Sequence, residues 1–269
     1  MANIPTGPAQ YLARFSDQSI ACSQYALAKL GVDRAHCFLK MDDYIILCAP
    51  FQLGFKRSLF LASLSKQELT FFQRYVNGIV GLSIAFASGK VEPIKLYIRC
   101  TLATVGPMKG RDNVGLFVVD FKNTPDDLVS ILGAYLETQE RFKILSEDYG
   151  KTPIRMNADV AKLLGYKMYA TITEPGGSRR IQIYTFNTKK LEHLEAGLAG
   201  ARTAGTSVAY QIYFKKYRIA TAGTIESSTM LPKNIVRTVA NLSFSPELAE
   251  IVDDYWFHTR SNPQSAAQA

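Results

Sequence analysis

A chain of 269 residues with 47% apolar and 20% charged residues has the make-up of one large or two ordinary globular domains, which excludes a disordered chain. No run of about 18 apolar residues occurs, which excludes a membrane-spanning helix, and the start MANIPTGPAQ lacks the basic and apolar regions of a secretory signal, so a cytoplasmic protein is expected. The net charge of +8 divides into +4 for residues 1–145 and +4 for residues 146–269; without a dedicated basic arm it suits an anionic ligand or partner rather than nucleic acid.

Along the chain, YALAKLG is a short helix ending at Leu30-Gly31, and DYIILCA and KRSLFLASL are strands. Ser65-x-x-Glu68 is a capping box that opens the helix KQELTFFQRYV. GLSIAFA, IKLYIRCTLATV and VGLFVVDF follow as strands. Thr124-Pro125-Asp126-Asp127 then supplies an N-cap, a proline at the first helical position and two carboxylates on the positive helix end, with Leu128, Ile131, Leu132 and Tyr135 at helical spacing. The polar, Gly- and Pro-bearing stretch SEDYGKTPIRMN reads as a join, dividing the chain into domains at 1–145 and 158–269 with a linker at 146–157. Beyond it come a short helix ending at Leu164-Gly165 and the strands MYATIT, RIQIYTF, SVAYQIYF, YRIATAG and NIVRTVANLSF. Ser245-Pro246-Glu247 opens a closing helix with Ala249, Val252 and Trp256 inward, and SNPQSAAQA is a frayed tail.

The two halves follow one plan: helix, strands, middle helix, strands, closing helix. LATVG at Leu102–Gly106 recurs as IATAG at Ile219–Gly223, Phe51 lies over Phe186, and the offset between Val114 and Ile235 holds through Pro125 and Pro246. The fold class expected is mainly β, two antiparallel barrels each closed by a C-terminal helix.

SQYALAKLGVDRAHCFLKMDDYIILC, DNVGLFVVDFKNTPDDLVSILGAYLE and RMNADVAKLLGYKMYATI, within residues 20–260, give the chain a pattern that resembles the PilZ family, in the spirochaete-type tandem of a PilZ-like N-terminal domain and a PilZ domain. The resemblance implies a non-catalytic receptor for cyclic di-GMP. The family binds it through RxxxR before the barrel and [DN]xSxxG on an early strand, because guanine edges match an arginine fork and phosphates need positive charge. Here Lys151 and Arg155 stand as KxxxR, and Thr185 and Asn187 fall in the second motif with Lys190 in place of its glycine. In the first domain the same motif falls on CAPFQLG, where Ala49 and Phe51 replace the polar groups, so that copy is expected to be a scaffold.

By residue type alone, Lys151 and Arg155 suit either a solvated basic linker or a phosphate contact. Arg179 and Arg180 suit a solvated turn or an anion-binding rim, and Thr185 and Asn187 are ordinary strand-end polar groups. No GxSxG, P-loop or GxGxxG is present, and the three histidines form no ligand set; His193 and His258 fall on polar helical faces. His36 and Cys37 are adjacent on a strand and so point apart, and the four cysteines read as reduced thiols; no metal or cofactor is expected. The partners expected are cyclic di-GMP and a protein, with signalling by reorientation of the domains. The alternative is a degenerate adaptor that binds protein and no nucleotide. A barrel binding RNA or DNA would need an aromatic platform beside a basic stripe, which the sequence lacks.

Overall fold

The computed structural model describes residues 7–88, 91–197, 200–214 and 217–261. Two compact units divide between Thr138 and Gln139. The first holds α1 (Pro8–Phe15), β1 (Ser19–Ala21), α2 (Gln24–Leu30), β2 (Val32–Met41), β3 (Tyr44–Leu47), β4 (Ala49–Gly54), β5 (Arg57–Ser63), α3 (Lys66–Gln73), β6 (Ile79–Ser88), β7 (Val91–Pro107), β8 (Val114–Phe121) and the start of α4 (Asp126–Tyr149). The second holds β9 (Ile154–Arg155), α5 (Ala158–Leu164), β10 (Ala170–Glu174), β11 (Gly177–Phe186), β12 (Lys190–Ala196), β13 (Ser207–Tyr213), β14 (Arg218–Leu231), β15 (Ile235–Leu242) and α6 (Pro246–Ser261).

In the second unit the strands run β10-β13-β14-β15-β12-β11, and β10 pairs with β11 to close a six-stranded antiparallel barrel, with β9 added to β11. The first unit is an eight-stranded sheet, β1-β4-β5-β8-β7-β6-β2-β3. Cys48 alone separates β3 from β4, and the Cys48 amide donates to the Cys37 carbonyl at 3.0 Å. Strict alternation sets the inward faces: β5 and β12 share one pattern of buried and exposed positions, and β8 and β15 bury every second residue. Each unit has its own apolar core, built around Phe60, Leu82 and Phe117 in the first and Ile183, Phe186 and Ile212 in the second.

The helix signals act as local chemistry requires. Ser65 accepts from the Glu68 amide while Glu68 accepts from the Ser65 amide at 2.7 Å. Gly31 and Gly165 end α2 and α5 at φ 69° and 61°, and a Cβ on Gly31 would lie 2.3 Å from the Ala87 carbonyl oxygen. Ser245 accepts from the Leu248 amide at 3.2 Å to cap α6, whose Ala249 and Val252 are fully buried, with Trp256 partly so. Thr124 instead donates its hydroxyl to the Phe55 carbonyl, tying the start of α4 to the β4–β5 turn. Ser65→Ala should cost about 1 kcal/mol, the usual worth of such a cap, and speed amide exchange at Leu69 and Phe72 while leaving the core strands protected.

Several expectations need correction. The plan is repeated, since β8 and β15 begin and end 121 residues apart, but the pentapeptides that suggest it are not equivalent. Pro107 pairs with Gly115 and Met230 with Val236, which sets β7 against β14 at an offset of 123 where LATVG and IATAG require 117. The bulges agree: Ala103 on β7 and Glu226 on β14 are the unpaired residues. KLEHLEA, which supplies His193, is strand β12 and not a polar helical face, and His193 is fully buried. Among the described residues no α-helix lies between β12 and β13, so α3 has no counterpart. The stretch expected as a join, 146–157, contains the last turn of α4, β9 and Asn157, which caps α5. The tail lies beyond the described residues from position 262 onward.

Candidate functional site

The sequence-derived site residues all lie in the second unit, along β11 and the segment leading into it. Ile154 pairs with Phe186 and both are buried; Arg155 therefore pairs with Thr185 on the outer face. Tyr184 is bulged out of the β11–β12 register, and the Arg155 guanidinium lies 5.5 Å from the centre of its ring. Arg180 sits on the same outer face toward the other end of β11, five residues and so about 16 Å from Thr185 at the usual strand rise, and covers the Tyr169 ring at 5.1 Å. Arg179 is ion-paired to Glu174 near the two-residue turn that joins β10 to β11.

The polar residues are committed within the protein. Asn187 is buried; its side-chain nitrogen donates to the Gly150 carbonyl at 2.9 Å, and its oxygen accepts from the amides of Lys189 and Lys190 at 2.8 and 2.7 Å. Thr188 donates to the Ser146 carbonyl at 2.7 Å, and Lys189 pairs with Glu147. These contacts hold the segment 146–150 against the β11–β12 turn. Thr185 donates to Glu192 at 3.0 Å, and Glu192 also accepts from Arg237. Lys151 donates to Asp148 at 2.7 Å; the contact holds the lysine above its usual pKa and the aspartate below the usual carboxylate range. Both side chains are well exposed, so the pair is weak and easily exchanged for an anionic ligand.

Strand register shows what occupies these places in the first unit. Ala21 pairs with Gln52 and Ile20 with Leu53 as Arg155 pairs with Thr185 and Ile154 with Phe186, and Phe51 is bulged as Tyr184 is. Gln52 and Gly54 are thus the counterparts of Thr185 and Asn187, three residues from the Ala49 and Phe51 read from the sequence, and Phe186 matches Leu53 instead of Phe51. The counterparts of Lys151 and Arg155 are Asp17 and Ala21, so the first unit has no cation at either place. Tyr169 and Tyr184, which carry the two arginines, are not visible as site residues in the sequence; position on one strand face is the only signal for them.

Inside the second barrel lies a buried polar cluster that sequence reading also misses. Arg202, from the β12–β13 connection, pairs with Glu195 and Glu174, its Nη2 lying 3.0 Å from Glu195 Oε2, and the Arg202 and Glu195 side chains are 7% and 4% exposed. Burial pushes the Glu174 carboxyl up, but Arg202 and Arg179 outweigh it and hold the group below the usual range. His193 Nε2 lies 3.2 Å from the Tyr210 hydroxyl while Nδ1 has no partner among the described residues; burial, aided by the Arg202 charge, pushes the ring down to about 3 and keeps it neutral. His36 lies outside, 2.7 Å from Asp33, and Cys37 inside, 3.7 Å from the Cys48 sulfur. Among the described residues no group of three metal-ligating side chains forms, and no helix is long and apolar enough to cross a membrane.

Residues 9–139 match the family model of the PilZN3 domain. The crystal structure of the Borreliella burgdorferi PlzA protein in complex with c-di-GMP aligns with a TM-score of 0.46 at 11% identity, covering 92% of this chain and 97% of that one. Escherichia coli YcgR in complex with c-di-GMP aligns with a TM-score of 0.32 at 10% identity, covering 98% and 95%. The Bacillus subtilis Inhibitor of motility aligns with a TM-score of 0.32 at 12% identity, covering 86% and 99%. No curated protein matches the chain.

Proposed function

We propose, taking as premise that this is a PilZ-type chain whose first unit belongs to the PilZN3 domain family, that its second unit takes cyclic di-GMP on the outer face of β9 and β11. One observation carries the reading: the two units share strand order and bulges, yet only the second places cations, Lys151 and Arg155, where the first has Asp17 and Ala21. Arg155 is the principal contact, since its planar fork matches a guanine edge or a phosphate and it already lies over an aromatic ring. Lys151 serves the phosphates after leaving Asp148, and Arg180 and Arg179 form the far rim. Thr185 and Asn187 contribute by holding β11 and the 146–150 segment in place. The protein is a non-catalytic receptor, and its output is a change in the angle between the units as the ligand clamps the segment that follows α4.

Isothermal titration of the full chain with cyclic di-GMP tests this. Arg155→Ala should lose roughly 1.5–3 kcal/mol, on the order of ten- to a hundredfold in affinity. Lys151→Ala should lose less, as a screened contact, and Lys151→Arg should bind more tightly. Tight binding by Arg155→Ala would move the ligand elsewhere. Absence of heat in every variant would support the adaptor reading, which the internal commitment of Asn187 and Thr185 favours.

A further inference from the structure

The first unit carries an exposed apolar face with unpaired positive charge. Of the large apolar side chains exposed among the described residues, four lie on one face of β3, β6 and β7: Ile45, Leu47, Ile79 and Tyr97. Leu47 is 68% exposed and Tyr97 75%, values that a self-sufficient fold has no reason to concentrate on one sheet face. Strand register arranges them in rows across β3, β2, β6 and β7. One row is Leu47, Phe38, Ser83 and Tyr97; the next is Ile45, Lys40, Gly81 and Arg99. Gly81 leaves a trough between the two cations, and a groove of about 630 Å³ follows it. A second groove of about 590 Å³ shares Tyr97 and Arg99 and continues to Lys122 and the start of α4.

Among the described residues Lys40, Arg99 and Lys122 make no ion pair, whereas Arg57 on β5 is paired to Asp120. Asp42, at one end of the trough, is the only carboxylate among the described residues that line either groove. Four strands span about 14 Å, wide enough to seat a helix of about 10 Å diameter.

We propose that this face docks an acidic amphipathic helix of a partner protein, its apolar side in the groove and its carboxylates against Lys40, Arg99 and Lys122. A second copy of this chain would bring the same excess of cations against itself, so charge complementarity selects a different, acidic partner. The surface is distinct from the nucleotide-binding residues of the second unit and does not rest on them.

The test uses the full chain and two fluorescein-labelled 16-residue model helices. Both carry leucines at helical spacing; one has glutamates on the flanks and the other lysines. Anisotropy at low salt should show the glutamate helix binding at least tenfold more tightly, with the advantage shrinking as salt rises. Lys40→Glu with Arg99→Glu should reverse the preference, and Ile45→Ser with Tyr97→Ser should weaken both helices about tenfold. These exposed substitutions leave the core untouched, and unchanged circular dichroism would show it. Equal binding of the two helices, no binding of either, or binding indifferent to all four residues would overturn the proposal. Self-association abolished by Tyr97→Ser would overturn it in favour of a second copy.

Discussion

Arg202→Met should be among the most damaging single substitutions in the second unit. Glu195 would be left buried without its cation and Glu174 with Arg179 alone. Breaking a buried ion pair from one side costs about 3–5 kcal/mol, because the surviving charge keeps its desolvation penalty and loses its compensation. For a unit of this size the melting temperature should fall on the order of 10 °C. The single tryptophan, Trp256 in α6, reports on this unit, so its fluorescence during urea unfolding provides the measurement. The double variant Arg202→Met with Glu195→Leu should recover most of the loss, since an apolar replacement of similar volume removes the orphaned charge. A loss below about 1 kcal/mol in the single variant would mean that water reaches the cluster.

His193 makes the same barrel sensitive to acid. Its folded pKa is pushed down to about 3, while the unfolded chain titrates near the ordinary value of 6.5. Between these values the unfolded state binds the extra proton. Stability from this group is therefore complete above about pH 6.5 and declines as pH falls toward 3, by about 1.4 kcal/mol per unit. Between pH 6.5 and 5 the loss should be about 2 kcal/mol. His193→Gln cannot take up the proton, and its hydrogen-bonding side chain fits beside Tyr210. The difference in urea midpoint between wild type and this variant should therefore change steadily over that window, while contributions from carboxylates and the other histidines cancel. A difference that stays constant with pH would show that His193 is protonated in the folded protein or solvated in its place.

On the proposed reading the two clusters bear on function through rigidity. β9 and β11 present Arg155 and Arg180 on the outer face while Ile181 and Ile183 of β11 pack inward, beside the barrel wall that His193 and Tyr210 build. A ligand contact carried on a closed, well-packed barrel is already ordered, so little conformational entropy remains to be lost on binding.

Several features were legible in the sequence because their causes are local. Ser65 with Glu68, Ser245 before Pro246, and the Leu-Gly ends of α2 and α5 depend on a few neighbouring atoms, and each stands where the residues place it. The match of β8 to β15 was legible too, since no bulge separates Val114 from Phe121 or Ile235 from Leu242. What required the fold was register. LATVG and IATAG are out of step by six residues; Leu102 and Ile219 are both fully buried, but the bulge at Ala103 reverses the alternation beyond them, so Thr104 is exposed where Thr221 is buried. Strand register, with the shared bulges at Phe51 and Tyr184, identified Gln52 and Gly54 as the counterparts of Thr185 and Asn187. KLEHLEA, rich in helix formers, became strand β12 because its neighbours β11 and β15 satisfy its backbone and its alternate side chains fill the core. The likeness of KxxxR to the RxxxR motif singled out Lys151 and Arg155 as candidate ligand contacts; the tertiary structure decided that Asn187 is a latch, that His193 is buried and neutral, and that Arg202 joins two carboxylates far apart in sequence, since all three outcomes depend on solvent exclusion by distant segments.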